Sequence, residues 1–113
     1  MAAEKQFENK IKMDLKRRGC WFVKFFANAF TPSGVPDILV CYHGRFIAIE
    51  VKGGSGYGLT DLQRYNLEKI NSAGGIGLCV YPSGWSKLMQ ILDRIEAGER
   101  VTVADDTDSY ILK

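Results

Sequence analysis

Apolar and polar residues follow two periods along this chain. From about Glu4 to Arg18, Phe7, Ile11 and Leu15 recur at helical spacing, and Gly19 closes the predicted helix. Cys20 to Phe26 reads as a strand, followed by turn formers from Asn28 to Pro36. Two β-branched, aromatic-rich runs, Ile38 to Tyr42 and Phe46 to Val51, flank His43-Gly44, which predicts strand, tight turn, strand. Thr60-Asp61-Leu62-Gln63 has the spacing of a capping box and opens a helix that Ala73-Gly74-Gly75 ends. Gly77 to Tyr81 is a short strand closed by Pro82, and Trp85, Leu88, Leu92 and Ile95 form the stripe of a last helix ending at Gly98. In the tail, Arg100 to Ala104 alternates like a strand, and Asp105, Asp106 and Asp108 make an acidic turn. Tyr110-Ile111-Leu112 is either a final strand or a partner contact. This order predicts an α/β sandwich with a mixed central β-sheet flanked by helices. It forms one domain over 1–113, with its core at about 4–98 and a C-terminal extension at 99–113.

The hairpin carries the candidate chemistry. With His43-Gly44 as a two-residue turn, Tyr42 faces Arg45, and counting outward sets Asp37 opposite Glu50, with Lys52 on the face of Glu50. A three-residue loop would instead set Val51 opposite Asp37. Facing carboxylates destabilise a sheet, and the apolar runs around them predict a strand pair covered on both faces. A divalent cation reverses the sign of the interaction, because hard cations take oxygen ligands. The bland alternative is a pair of solvated rim residues.

Composition narrows the class. A hydrophobic content of 46% and a charged content of 25% are ordinary for a globular protein. Cys20, Cys41 and Cys79 are odd in number and each lies in an apolar run, which predicts reduced core residues of a cytoplasmic protein. No apolar stretch is long enough to span a membrane, and the charged N-terminal segment lacks a signal-peptide core. The net charge of +2 is uneven: residues 1–30 carry seven basic and three acidic groups, whereas 76–113 carry four and six. Only the first segment suits a polyanion.

Gly34-Val35-Pro36-Asp37, then Ile49-Glu50-Val51-Lys52, then Gln63 on the next helix, resemble the VRR-NUC branch of the PD-(D/E)xK nucleases, over roughly Glu4 to Leu92. The resemblance implies a restriction-endonuclease-like sandwich and a magnesium- or manganese-dependent DNA endonuclease of a small stand-alone type, of phage or bacterial origin. Its relatives act on branched DNA, as flap nucleases or as proteins similar to Holliday-junction resolvases. It further implies Asp37 and Glu50 as metal ligands, with the Val51 backbone carbonyl as an additional one. Lys52 would act beside the attacked phosphate, and Gln63 would support the water or a ligand. A glutamate of the first helix completes the set. Phe7-Glu8 followed by Ile11, Leu15 and Gly19 resembles the first helix of archaeal resolvases and favours Glu8, while the placement usual in VRR-NUC proteins favours Glu4.

On the helical wheel Glu4 lies within the apolar stripe and Glu8 at its edge, although either acid equally serves the helix dipole. Lys12, Lys16, Arg17 and Arg18 form the remaining face, either solvated or binding phosphate. Lys24 interrupts its strand, pointing to the site or guarding an edge. Gly53 and Gly58 are spaced as in a phosphate loop, but Leu59 takes the lysine position. This discounts a nucleotide-binding protein and leaves a loop that brings Tyr57 to a nucleic-acid backbone, or a plain linker. Lys16, Arg17, Arg18, Lys24 and Tyr57 are thus the candidate nucleic-acid contacts. The one histidine, His43, sits in the turn, so no nucleophilic triad is present. The rival class is a non-catalytic binding module. Symmetric cutting of a junction also predicts a homodimer, with Trp85, Met89 or Tyr110-Ile111-Leu112 as its apolar patch or as monomer core.

Overall fold

The computed structural model describes residues 2–103 and 108–113. Its centre is the hairpin of β2 (Ile38–Tyr42) and β3 (Arg45–Val51). His43 and Gly44 both have positive φ, 49° and 76°. Such a two-residue turn matches the right-handed strand twist, and glycine takes that conformation without strain. Tyr42 pairs with Arg45 and Ile38 with Ile49. The register of the two-residue turn therefore holds, and the three-residue alternative does not.

Around the hairpin the sheet runs β1-β2-β3-β4-β5, with β1 (Trp21–Lys24), β4 (Ile76–Val80) and β5 (Ile111–Leu112). The first three strands are antiparallel, while β4 and β5 join in parallel, so the sheet is mixed. Helix α1 (Ala2–Arg17) and helix α3 (Trp85–Glu96) lie on one face. There Phe7, Ile11, Leu15, Leu88, Leu92 and Ile95 bury their stripes against Val40, Ile47, Ile49 and Leu78. Helix α2 (Asp61–Ser72) takes the other face over β3 and β4, with Leu67 against Gly77 and in one cluster with Cys79, Tyr81 and Tyr110. The capping box at Thr60 and Gln63 forms in full.

Several expectations change. β1 stops at Lys24, because the chain leaves the sheet after the Phe25 N–H donates to the Asp37 carbonyl. Val101 to Val103 is not strand; Val101 fills the core instead, and the Arg45 guanidinium donates to its carbonyl at 2.7 Å. Within the C-terminal extension, Val101, Tyr110 and Leu112 are buried and β5 extends the sheet. That burial removes Tyr110 and Leu112 from any dimer patch, and Trp85 and Met89 are half-buried against the same core. Of the acidic turn, Asp105 and Asp106 lie outside the described residues. Asp108 pairs with Arg64 at 2.7 Å. Cys79 is buried, Cys20 half-buried and Cys41 exposed, so Cys41 is not a core residue.

Candidate active site

The acids sit where the hairpin leaves the sheet. The pairing of Ile38 with Ile49 carries on by one step to set Asp37 across from Glu50. Pro36 biases the preceding residue to extended backbone and so delivers Asp37 in line with β2. Asp37 Oδ2 accepts the Val51 N–H at 2.8 Å, which ties this carboxylate to β3. Glu50 is 4% exposed. Burial first, and then the facing charge of Asp37, push its carboxyl up to about 8. Two acids share one end of a buried strand pair, and one of them keeps its proton near neutrality.

Three neutral or cationic groups converge on this pair. Lys52, itself buried, places its ammonium 3.7 Å from Glu50 Oε2 and donates to Gln63 Oε1 at 3.0 Å. Gln63 Nε2 donates to Glu50 Oε2 at 3.3 Å, while the same Oε1 accepts the Thr60 N–H at 3.0 Å. Its capping and site contacts are thus made together. Lys24 bridges the other side, 2.7 Å from Glu8 Oε1 and 3.4 Å from Asp37 Oδ1.

Helix α1 supplies two acids of different standing. Glu8 is buried and pairs with Lys24 and, at 3.1 Å, with Lys12. Burial alone would raise its carboxyl, but the hydrogen bond from Lys24 and the nearby ammonium groups of Lys24 and Lys12 outweigh it and hold the pKa below the ordinary value. Its Oε2 makes no hydrogen bond; the Lys12 contact is an ion pair without bonding geometry. Glu4 is half-buried and close enough for its charge to raise Glu50. Gly53 makes that approach possible: a Cβ there would stand 2.9 Å from the Glu4 backbone nitrogen. The wheel placed Glu4 deeper than Glu8, and the fold reverses this, because Lys24 draws Glu8 inward from β1.

The basic candidates divide. Lys16 and Arg17 are exposed and lie more than two helical turns beyond Glu8, or about 13 Å along the helix axis. Arg18 is not free to bind phosphate. Its side chain is 5% exposed and pairs with Asp14 at 2.6 Å, Asp93 at 2.9 Å and Glu96 at 3.6 Å. The sequence offered a signal for this in the Asp14–Arg17 and Asp14–Arg18 spacings of three and four. Tyr57 is half-exposed, and its carbonyl accepts the Tyr81 hydroxyl. A cleft of about 380 Å³ at Gly44, Phe46, Ile70 and Gly75 lies at the opposite end of the hairpin, away from the acids.

A hard cation requires converging oxygens. Among the described residues no three His, Cys, Asp or Glu side chains converge as ligands, since the Lys24 ammonium stands between Glu8 and Asp37. Asp37 and Glu50 together still provide facing carboxylate oxygens that cannot both be charged at low cost without such an ion, as the proton held by Glu50 near neutrality shows. In that sense the pair fits. Compared with known protein families, curated proteins and solved structures, the chain has no match.

Proposed function

We propose that this protein is a divalent-metal-dependent DNA endonuclease of the VRR-NUC type, with a restriction-endonuclease-like sandwich, selective for branched DNA and similar to a Holliday-junction resolvase. The observation that carries the reading is the cluster of Asp37, Glu50, Lys52 and Gln63, in which two carboxylates face each other beside a buried ammonium.

Asp37 and Glu50 would hold Mg²⁺ or Mn²⁺, with the Val51 carbonyl beside them and Glu8 or Glu4 in support. When bound, such an ion lowers the pKa of water and polarises a phosphate. Lys52, fixed by the Gln63 oxygen, would neutralise charge developing on the phosphate oxygens. Gln63 meanwhile orients the Glu50 carboxylate through its amide. Lys24 holds Glu8 and Asp37 in place, and Lys16, Arg17 and Tyr57 remain as contacts for the DNA backbone. The cytoplasm is the compartment proposed; no helix among the described residues is long and apolar enough to cross a membrane.

A second reading has one observation in its favour. Lys24 and Lys52 already offset the acids from within, as expected of a non-catalytic DNA-binding module. Incubating duplex, flap and four-way-junction DNA with the protein in Mg²⁺, Mn²⁺ or chelator decides between them. Strand cleavage that needs the metal and prefers a branched substrate is the expected result. Binding that is unchanged by chelator, with no cleavage of any substrate, overturns the nuclease reading. Cleavage restricted to flaps or to single nicks would replace the resolvase with its flap or nicking counterpart.

A further inference from the structure

Two ammonium groups stand among the acids, and they are held differently. Lys52 is buried, and besides Glu50 it has the neutral Gln63 oxygen as a partner at 3.0 Å. Lys24 is held, among the described residues, by carboxylates alone: Glu8 Oε1 at 2.7 Å and Asp37 Oδ1 at 3.4 Å. Its place in the fold explains the difference. β1 is an edge strand, Lys24 is its last residue, and the chain leaves the sheet directly after it. Alternation turns Phe22 and Lys24 towards α1. Trp21 and Val23 take the other face, where they stand exposed together with Cys41 and Phe46, because α2 packs over β4 and only part of β3. The central hairpin is thus covered on one face and only in part on the other, contrary to what its apolar runs had suggested.

At this edge the lysine is freer than the acid it binds. The Lys24 side chain is 21% exposed and that of Glu8 4%, so the ammonium has a way out to water and the carboxylate has none. A lysine carries its charge on a flexible stem and hydrates strongly, which keeps the cost of that exit small. The charge balance favours an exchange. One ammonium serves two carboxylates, and its contact with Asp37 is the long one. The second oxygen of Glu8 is buried and makes no hydrogen bond, with Lys12 3.1 Å away as an ion pair. A divalent cation carries twice the charge and takes carboxylate oxygens as ligands, so it satisfies these oxygens better than one ammonium does.

We propose that Lys24 is a built-in counter-ion, which holds Glu8 and Asp37 and swings out to solvent when a divalent cation binds. Lysine and metal are then alternative occupants of one set of oxygens. With the ammonium in, the buried Glu8 keeps a close opposite charge, which a buried carboxylate requires. With the ammonium out, Glu8 and Asp37 are both free to serve the ion. Lys24 thereby sets the concentration at which the ion enters, as a positioning residue and not a catalytic one. The inference rests on the metal site of the proposed function and adds its regulation.

Mn²⁺ binding tests it, read from the electron paramagnetic resonance signal of the free ion and paired with thermal unfolding. Lys24→Met should lower the half-saturating Mn²⁺ concentration roughly tenfold or more, since the positive charge that competes with the ion is gone. In chelator the same variant should melt below wild type, because Glu8 stays buried without its nearest cation, and saturating Mn²⁺ should close that gap. Lys24→Gln keeps a donor for Glu8 without the charge and guards against a folding defect; it should bind Mn²⁺ as Lys24→Met does. Lys24→Arg keeps the charge and should bind no more tightly than wild type. Unchanged half-saturation in both neutral variants overturns the inference and makes Lys24 a plain structural ion pair, while the metal site itself stands. Equal tightening by Lys24→Arg overturns it as well. Mn²⁺ that binds neither wild type nor any variant overturns both the inference and the metal site beneath it.

Discussion

Two charged clusters lie beside helix α1 and differ in one respect. Near its C-terminus, Asp14 meets Arg17 and Arg18 at 2.6 Å each, and Arg18 goes on to Asp93 and Glu96. Tyr42 donates its hydroxyl to that same Glu96. Every buried charge there has an opposite partner, so Asp14 is held below its ordinary pKa and Arg18 above its own. Near the N-terminal half, Asp37 and Glu50 face one another and Glu50 moves the other way. Opposite charges paired in a fold explain themselves as structure. Two carboxylates crowded at the end of a buried hairpin do not explain themselves in that way: Glu50 must hold a proton near neutrality beside Asp37, and the cation of the proposed function would take that proton's place.

The largest expected effect falls on the structural cluster. Arg18→Met should cost about 3 kcal/mol in urea unfolding, because Asp14 keeps only Arg17 as a partner near the core. A cost below roughly 0.5 kcal/mol would mean that the cluster behaves as an exposed surface pair.

Next come opposite pH dependences, measured in chelator. Glu50 has a raised pKa in the folded state, so its favourable contribution is complete below its ordinary 4.5 and is lost as pH rises towards about 8. Glu50→Gln should therefore match wild type at pH 4 and exceed it on the order of 2 kcal/mol above pH 8. Asp14 has a lowered pKa, so its contribution is present above its ordinary 3.8 and disappears as pH falls through the folded value. Asp14→Asn should weaken the protein at pH 7 and converge with wild type in strong acid. Two variants with the same pH trend would erase the distinction between the clusters.

Much of this contrast is written locally in the chain. The two-residue turn, the facing of Asp37 and Glu50, the capping box and the helical stripes all follow from short-range spacing. What escaped the sequence depends on distant pairing. Arg18 reads as one more cation on a basic face until α3 brings Asp93 and Glu96 to it. Lys24 becomes the bridge between Glu8 and Asp37 only once β1 pairs with β2. The apolar run of the hairpin predicts burial on both faces, yet it holds no information on how far α2 extends over the sheet. Tyr110 and Leu112 reach the core through β5, a two-residue strand too short to carry a period.

A smaller effect concerns DNA. Lys16→Gln with Arg17→Gln should lower the slope of log affinity against log salt by about 1–2, at roughly 0.9 for each phosphate that is no longer neutralised. An unchanged slope would move the backbone-binding surface to the glycine-rich loop and Tyr57.

The claim that the like-charged pair exists for a cation is tested most directly by thermal unfolding at neutral pH in increasing Mn²⁺ or Mg²⁺. A ligand that binds only the folded state raises the midpoint in a saturable way. Wild type should show that rise. Asp14→Asn should start lower and show the same rise, while Asp37→Asn and Glu50→Gln should show none. An equal rise in all four proteins, or none in wild type at millimolar metal, would contradict the account.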